Sequence, residues 1–537
     1  MNKKSQGNSK IPITVGVTGH RDLCEAEIPA IRETVRKELI TLRQDHPFSP
    51  FVLLCCLAEG ADRLCAQIAL EEGYDLIAVL PMPAPEYEKN FKGEALESFR
   101  GLLGKAKKCI EAPCIEPFRE GRDYRYRQAD IYLAEHSHLL LAIWDGLPGK
   151  ENGCGTAETV DIKLTKNYIN NNGTYLNPDV SGVVHIKVGR GEEPSAQPVS
   201  VTPMGNSAGI RELLRKTDKF NRETEKLGIK QSETGVSIKG VNDTADFSIK
   251  GVYDAADSIS VRNQKRSRIG LGIVASLATL LTTAFLLYDE AELHILIIMC
   301  VVFIAGLFAI VRITRSRGWN EKYTQSRLLA EGLRIQEVCL KAGIVAGAAE
   351  LLPWTVWTDA PWVAWALKVM ELFDGGERQP GAIREFARDQ ANYHENAIVK
   401  TEKKIRKNDR IVRIAVVLSI IAYLAGLGFE IYFGGLLGGP VRLGYEQIEP
   451  WRTALKLVMG ILSAVTLFVG SYYGKLSLEE ENDGHRRMLL LCRRAELRLP
   501  ESGKTDRGAE DFIRELLHEN ASWYDYRSRG RAEVNLS

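Results

Sequence analysis

The sequence predicts an α/β domain with a doubly wound, Rossmann-like parallel sheet, followed by an all-helical membrane region with four transmembrane helices. Over about the first 190 residues, apolar runs of strand length alternate with amphipathic segments of helical period, which is typical of a parallel sheet. Further along the chain, four apolar stretches are each long enough to cross a bilayer as a helix. Basic residues flank both pairs of these stretches.

Composition narrows the classes of function. The chain has 537 residues and a formal net charge of +1, which gives no sign of a nucleic-acid-binding surface. Its 10 cysteines are scattered without a paired motif or clustered histidines, so we expect neither a metal site nor a disulfide framework. Residues 1–10 are polar and lack the apolar core of a signal peptide.

Five strands are predicted in the first part of the chain. Each is a short apolar run, and the first, second and fourth are followed by polar loops. Helices are predicted at Ile28–Leu42, at Leu64–Glu72 and from Thr156 to Lys163. The predicted strands are Ile11–Val17, Phe51–Leu57, Leu76–Leu80, Ser137–Trp144 and Val183–Val188.

Three polar loops follow predicted strands, at Thr18–Asp22, Glu59–Arg63 and Gly149–Thr156. In open parallel sheets, ligands bind outside the carboxyl ends of the strands, so we expect these loops to converge on one site. The third loop combines glycines with a helix N-terminus, an arrangement that suits a phosphate. The alternative is an ordinary strand–helix turn with Thr156 as its N-cap.

Basic side chains near these loops have two possible roles. Arg21 and Arg63 could pair with phosphate oxygens, or could instead form salt bridges to Asp22 and Asp62. A further basic run, interleaved with tyrosines, precedes the fourth strand and is expected to be a solvated helix face, although it could also line the rim of the ligand site. Its members are Arg122, Arg125 and Arg127.

An ordered set of motifs resembles the SLOG superfamily, the Rossmann-like group that includes the DNA-processing protein A and the cytokinin-activating LOG proteins. The matching segments are Val15–Arg21, Leu57–Leu64, Ala78–Pro81, Ala142–Gly146 and Gly155–Glu158. The resemblance implies binding of a nucleotide, cyclic nucleotide or ADP-ribose-type molecule, with no other cofactor. It implies these ligand-binding residues: Thr18, Gly19, His20, Arg21, Glu59, Gly60, Ala61, Asp62, Arg63, Pro81, Asp145, Gly153, Gly155, Thr156 and Glu158.

One departure from that family bears on catalysis. Its enzymatic branch carries a tight Pro-Gly-Gly-x-Gly-Thr-x-x-Glu loop. Here the loop from Pro148 to Thr156 is longer and charged, and Glu158 follows Thr156 by two residues instead of three. We therefore predict a binding domain without catalytic residues. In the alternative, an enzyme, Glu158 would be the base.

The apolar stretches form two similar pairs. An acidic turn, Tyr288–Glu292, joins the first pair, and the basic flanks predict that both termini lie in the cytoplasm. The alternative is a buried helical core in a soluble protein. The predicted spans are Ile269–Leu287, Leu293–Val311, Ile414–Leu437 and Leu457–Tyr473.

Each pair of spans is followed by a similar cytoplasmic segment, Arg327–Arg334 or Leu491–Arg498, as if a unit of helix, two spans and helix had been duplicated. This unit is similar to the SLATT family of two-span effector modules, and the likeness implies a pore-forming or membrane-disrupting role. The predicted divisions are a nucleotide-binding domain (1–190), a linker with helices (191–260), a first two-span unit (261–345), tryptophan-rich connecting helices (346–400) and a second two-span unit (401–537).

Two features within the membrane region are open to more than one interpretation. Glu430, near the outer end of the third span, is either a functional intramembrane carboxylate or a water-facing residue. A tryptophan cluster lies either at the membrane interface or in the packing between cytoplasmic helices. Its members are Trp354, Trp357, Trp362 and Trp365.

Together these observations predict a homo-oligomeric membrane effector of a bacterial nucleotide-signalling system, with anti-phage defence as its setting. Its ligand domain would sense a nucleotide-derived signal and its four spans would gate or disrupt the inner membrane. The alternative is a membrane-anchored nucleotide N-glycosidase or phosphoribohydrolase.

Overall fold

A computed structural model gives the fold. It describes residues 9–113, 121–148, 155–165, 181–195, 198–228, 247–291, 293–344, 346–373, 378–379, 381–434, 436, 442, 444–499 and 507–529. Residues 231–246, whose polar composition predicts a linker, and residues 149–154 of the predicted glycine loop, including Gly153, lie outside these residues.

The N-terminal part is an α/β domain built on one seven-stranded sheet. The strand order is β4-β3-β2-β1-β5-β6-β7, and every neighbouring pair is parallel except β6 and β7. The five predicted strands are confirmed, and their side chains form most of the buried core. The strands are β1 (Ile13–Gly19), β2 (Phe51–Cys55), β3 (Asp75–Leu80), β4 (Lys108–Glu111), β5 (Leu139–Trp144), β6 (Gly182–Lys187) and β7 (Ser200–Gly205).

Strand order reverses between β1 and β5, so the sheet has a topological switch point there. Helices cross between parallel strands, with α1 packed beside α2 and α5 beside α6. Right-handed crossovers on either side of a switch point place such pairs on opposite faces of the sheet. The helices are α1 (Ile28–Asp45), α2 (Ala61–Glu71), α3 (Ala84–Tyr87), α4 (Glu94–Lys105), α5 (Arg122–His136), α6 (Thr156–Thr165) and α7 (Ser207–Leu227).

The two edge strands, β4 and β7, are not predicted by the sequence. β4 alternates half-buried and exposed residues and is only Lys108–Glu111, so it lacks a continuous apolar run. Gly189–Gly205 is predicted as a loop, which is wrong for Ser200–Gly205, because this mostly exposed segment pairs antiparallel with β6. An edge strand can carry Pro203 and polar residues, since one of its sides needs no hydrogen-bond partner.

Residues far apart in sequence complete this first compact unit, which comprises residues 1–259, 325–380 and 504–521. Its tryptophans pack inside the unit: the ring of Trp365 stacks on His138 at 5.3 Å and that of Trp362 lies 5.7 Å from Phe220. Trp357 is buried too, whereas Trp354 is exposed. For three of the four tryptophans the structure therefore shows packing between helices and not a position at a membrane interface. The helices concerned are α11 (Ala348–Leu351), α12 (Trp354–Asp359) and α13 (Pro361–Met370).

The second compact unit, residues 260–324, 381–503 and 522–537, carries the apolar stretches. Four helices are long and apolar enough to cross a membrane, and only 6% to 17% of their apolar windows is buried. This exposure does not fit a buried core in a soluble protein. The helices that bear these windows or follow them are α8 (Ile249–Glu290), α9 (Leu296–Arg317), α10 (Trp319–Ala342), α14 (Ala382–Tyr432), α15 (Tyr445–Lys475), α16 (Leu478–Arg498) and α17 (Arg507–Arg529).

Polar side chains join α14 to α15 within the apolar windows. Ser419 Oγ lies 3.0 Å from Thr466 Oγ1, and Tyr423 Oη lies 3.1 Å from Ser463 Oγ. Between neighbouring helices in lipid, such pairs satisfy polar groups that water cannot reach.

Ion pairs lie toward the acidic-turn end of the same helices. Glu430 accepts two hydrogen bonds from Arg452, at 2.6 and 2.7 Å, and Lys456 pairs with Glu290 of α8 at 3.1 Å. Glu430 is therefore half of an ion pair between α14 and α15.

Candidate functional site

The polar turns after β1, β2 and β5 meet at the topological switch point. The backbone N–H of His20 donates to the Ile143 carbonyl at 2.9 Å, and the N–H of Ala61 donates to the His20 carbonyl at 3.0 Å. A Cβ atom on Gly19 would lie 2.4 Å from the Cβ of Ala61 and 2.6 Å from the Ile143 oxygen. Only glycine lets the turns after β1 and β2 come this close to each other and to the end of β5. Of the third predicted loop, Gly149–Thr156, residues 149–154 lie outside the described part of the chain.

Gly60 fixes the second turn against the first. Its φ is +78°, and an added Cβ would lie 2.4 Å from the carbonyl oxygens of both His20 and Arg21. The preceding turn includes Leu57, which is buried with a φ of +56°, an unfavourable backbone conformation for a branched side chain. Strained backbone of this kind is concentrated at functional sites.

Arg63 holds this strained turn in place. Its Nε donates to the Leu57 carbonyl at 3.1 Å, its Nη1 donates to the Ala95 carbonyl at 2.6 Å, and the guanidinium lies 4.4 Å from the Phe91 ring centroid. The side chain is only 6% exposed. Arg63 therefore stabilises the turn, and its buried Nη2, which has no hydrogen-bond partner among the described residues, is the group left for a ligand.

Arg21 remains available at the surface of the site. It is exposed, and its guanidinium lies 5.7 Å from the ring centroid of Tyr126 on α5. The salt bridge to Asp22 considered from the sequence is not formed, because Asp22 pairs with Arg190 at 3.0 Å. Among the residues that the structure describes, Arg21 forms no ion pair, so it is free to bind a phosphate.

His20 and Asp145 link the turns after β1 and β5. His20 Nε2 accepts a hydrogen bond from the Asp145 backbone N–H at 3.1 Å and lies 3.3 Å from the carboxylate Oδ2. Burial lowers the pKa of His20, while Asp145 partly opposes that shift. A neutral imidazole that accepts at Nε2 carries its proton on Nδ1, so this nitrogen is a donor.

The helix N-terminus predicted at Thr156 is confirmed, since α6 begins there. The carbonyl of Gly155 accepts from the backbone N–H of Thr159 at 3.0 Å and from its hydroxyl at 3.1 Å. Thr156 is therefore the first helical residue and not the N-cap. The first amides of a helix have no partner within the helix and suit an anion.

Glu158 is held by α5. Arg127 Nε donates to its Oε1 at 2.7 Å, while its Oε2 is buried and has no hydrogen-bond partner in the part of the chain that the structure describes. Arg127 thus lies beside the site and not on a solvated face as expected. The unpartnered Oε2 is an acceptor that suits a ligand hydroxyl.

Asp130 lies close enough to Asp62 and to Glu158 for their charges to act on it. Burial raises the pKa of Asp62 to about 7. Burial, with the nearby charges of Asp62 and Glu158, raises the pKa of Asp130 to about 8. Both groups therefore change protonation near neutral pH, which is common at functional sites.

Asp130 is a candidate site residue that the sequence interpretation missed, whereas Tyr126 belongs to the basic, tyrosine-interleaved run that it placed either on a solvated face or at the rim of the site. They lie on α5 with Arg127, and α5 is the crossover helix that returns the chain from the β4 edge to β5. The missed signal is helical spacing: positions 126, 127 and 130 share one side of a helix.

The remaining predicted residues are more peripheral or only partly placed. Thr18 is buried in β1, and Glu59 is half-buried close to the Arg63 charge. Pro81 is buried after β3, which β2 separates from β1, so it lies further along the sheet edge. No group of three His, Cys, Asp or Glu side chains in the described residues is arranged to hold a metal ion.

The fold and these turns define an α/β domain of the doubly wound class with polar, partly unsatisfied side chains at its switch point. No family model and no curated protein matches the chain.

Proposed function

We propose that this protein is a membrane effector whose α/β domain senses a nucleotide-derived signal and whose four apolar helices gate or disrupt a membrane. The bacterial inner membrane and a bacterial anti-phage signalling system are the setting we propose, with both termini cytoplasmic. The observation that carries the proposal is the convergence of three turns at the switch point on a chain that also bears four exposed apolar helices.

The crevice has groups suited to the parts of a nucleotide. Arg21 and the first amides of α6 suit a phosphate, and the unpartnered Oε2 of Glu158 suits a sugar hydroxyl. The ring of Tyr126, next to Arg21, offers a surface on which a base can stack.

A route from ligand to membrane follows the chain itself. Helix α8 begins at Ile249 in the first compact unit and continues without interruption to Glu290 in the second. A ligand shifts such an equilibrium only through a difference in affinity between two states of the domain. Because four helices are few for a pore within one chain, we propose that the effector is a symmetric homo-oligomer.

Dye release from liposomes tests the proposal. The full chain is reconstituted and exposed to a panel of nucleotides, cyclic dinucleotides and ADP-ribose derivatives. We expect one class to trigger release, and Arg21→Gln to abolish its effect while Arg211→Gln on α7 does not. Absence of release with every class, in protein that remains folded and inserted, would contradict the proposal.

A second candidate is a membrane-anchored nucleotide N-glycosidase or phosphoribohydrolase. The observation that favours it is the set of three neighbouring carboxyls, of which Asp62 and Asp130 have pKa values raised to about 7 and about 8. Glycosidic hydrolysis uses such pairs, one carboxyl protonated and one ionised. Chromatography after incubation with nucleotides detects any free base. If free base is released by wild type, and if Glu158→Ala and Asp130→Asn each abolish that release, the enzyme is favoured over the sensor.

A further inference from the structure

A small cavity in the second compact unit has an unusual lining. Its volume is about 40 Å³, compared with the roughly 10–15 Å³ that one water molecule needs. Three of its lining residues are cationic and only one, Leu271, is fully apolar and buried. Its lining comprises Gln264, Ser267, Arg268, Leu271, Asn320, Tyr323, Lys475, Leu476 and Arg527.

The cavity lies at the basic end of the apolar helices. Arg268 immediately precedes the apolar part of α8, Asn320 follows that of α9, and Lys475 is the last residue of α15. This is the end that the positive-inside rule assigns to the cytoplasmic surface, where lipid headgroups lie. Ile269 and Ile273, on either side of Leu271, are exposed, as residues facing acyl chains would be.

The cations in the cavity are only partly neutralised. Arg527 Nη2 pairs with Glu481 at 3.0 Å, whereas Arg268 and Lys475 are exposed and form no ion pair with any residue in the described part of the chain. Two exposed cations beside one neutralised cation leave a net positive site. Uncharged donors complete it: the amide groups of Gln264 and Asn320 lie in the lining, and Gln264 also donates to the Tyr323 hydroxyl at 2.8 Å.

We propose that this cavity binds the phosphate of an anionic lipid headgroup, with Arg268 and Lys475 as its main charged contacts. Basic pockets between membrane helices on the cytoplasmic side bind such headgroups. The proposal does not depend on the nucleotide site, because all of its residues belong to the second compact unit.

Native mass spectrometry of the full chain in detergent tests the site with two probes, phosphatidylglycerol and phosphatidylcholine. We expect wild type to retain phosphatidylglycerol in preference to phosphatidylcholine. At about 1 kcal/mol per cation, the double variant Arg268→Gln/Lys475→Gln should bind phosphatidylglycerol roughly 30-fold more weakly. The charge-preserving pair Arg268→Lys/Lys475→Arg should retain most of the binding.

The matched control removes two exposed charges from the same basic flanks but outside the cavity, Arg262→Gln/Arg312→Gln. We expect it to bind phosphatidylglycerol as wild type does. The proposal would be overturned if the control lost as much phosphatidylglycerol binding as the Arg268→Gln/Lys475→Gln variant, or if that folded variant bound phosphatidylglycerol as wild type does. It would also be overturned if wild type retained the two lipids equally.

Inorganic phosphate and glycerol phosphate distinguish a lipid from a soluble anion. If either binds wild type and displaces phosphatidylglycerol, and the Gln variant binds neither, the cavity is a phosphate site whose occupant is soluble. If neither competes while phosphatidylglycerol is retained, the lipid is the occupant. The comparison of phosphatidylglycerol with phosphatidylcholine uses wild type alone, so it can still overturn the proposal if a variant fails to fold.

Discussion

At the scale of single residues, the candidate site depends on backbone positions that tolerate only glycine and on carboxyls held in a poorly solvated crevice. Gly19 and Gly60 let three turns touch, and Arg63 holds the strained turn at Leu57. Asp62 and Asp130 keep their protons to unusually high pH. Two predictions follow from the physical chemistry of these groups.

Gly60→Ala should disrupt the site more than a matched glycine substitution. Gly60 and Gly73 have φ values of +78° and +77°, so alanine strains the backbone at both, and at Gly60 the ψ of −122° also lies outside the left-handed region that other residues can occupy. At Gly60 the new Cβ would also lie 2.4 Å from two carbonyl oxygens, whereas at Gly73 its nearest neighbour is the flexible end of Arg43 at 3.2 Å. We expect Gly73→Ala to cost about 1 kcal/mol of unfolding free energy and Gly60→Ala clearly more. Chemical denaturation measures both, and equal losses would contradict the role given to Gly60.

Stability should fall as the pH rises through the neutral range. Between the ordinary pKa of an aspartate and the raised values of about 7 for Asp62 and about 8 for Asp130, the folded chain keeps protons that the unfolded chain has lost. The unfolded state then binds fewer protons, so the free energy of unfolding decreases with pH across this window. Below about pH 6.5 buried histidines oppose this trend, because burial lowers the pKa of His136 and of His138 to about 3 and the unfolded chain then binds protons that the folded chain does not. The melting temperature should therefore decline from about pH 7 to about pH 8.

The variants Asp62→Asn and Asp130→Asn test the source of that pH dependence. Each amide removes one titrating carboxyl, so each variant should show a shallower decline in melting temperature than wild type. Glu88→Gln is a suitable control, because Glu88 is a carboxylate paired with Arg100 whose pKa is lowered by that partner's hydrogen bond. An unchanged slope in both Asn variants would show that other groups cause the effect.

At the scale of secondary-structure elements, the first compact unit is held together by a buried ionic cluster. Lys368 on α13 lies 2.7 Å from Glu350 of α11, 3.2 Å from Glu371 and 3.8 Å from Glu135 of α5. One ammonium thus joins the sheet domain's crossover helix to two helices encoded more than 200 residues later.

Lys368→Met should strongly destabilise this unit. The substitution keeps the aliphatic volume but leaves the three carboxylates without their shared cation, and removing one partner of a buried ion pair costs about 3–5 kcal/mol. Lys341→Met is the control, since its pair with Glu337 is exposed and such pairs contribute about 0–1 kcal/mol. Thermal unfolding of the full chain in detergent compares them, and similar melting temperatures would contradict the prediction.

At the scale of the whole molecule, the dominant feature is a set of four helices, among the described residues, that are long and apolar enough to cross a membrane. Their apolar windows are 6% to 17% buried, so in water most of this surface would be exposed. Large exposed apolar patches of this kind mark a membrane or partner surface. Basic residues flank the spans at one end, and an acidic turn joins the first pair at the other.

The orientation can be predicted from that asymmetry. A phosphatase reporter that is active only outside the cytoplasm should be active when inserted in the turn between α8 and α9, near Leu293, because the basic flanks remain inside. Inserted after α10, near Gly343, it should be inactive. The reverse pattern would contradict the proposed cytoplasmic position of the sensor domain.

The sequence alone determined the central strands, the helix starting at Thr156 and the four apolar spans. These depend on local patterns: a continuous apolar run makes a buried strand, and about 20 apolar residues make a span. The edge strands β4 and β7 were not found, because half-exposed strands carry no such run. At the site, the three turns were predicted to converge because parallel strands end at the same edge.

Only the tertiary structure decided which side chains in those turns are free and what joins them. Arg63 turns inward to backbone carbonyls, Arg127 of α5 pairs with Glu158, and Arg21 remains exposed. It also decided that residues 325–380 pack with the sheet, through contacts such as Lys368 with Glu135. Side-chain partners distant in sequence leave no periodic signal, because pairing depends on the packing of the folded chain, whereas periodicity reflects only the environment of each segment.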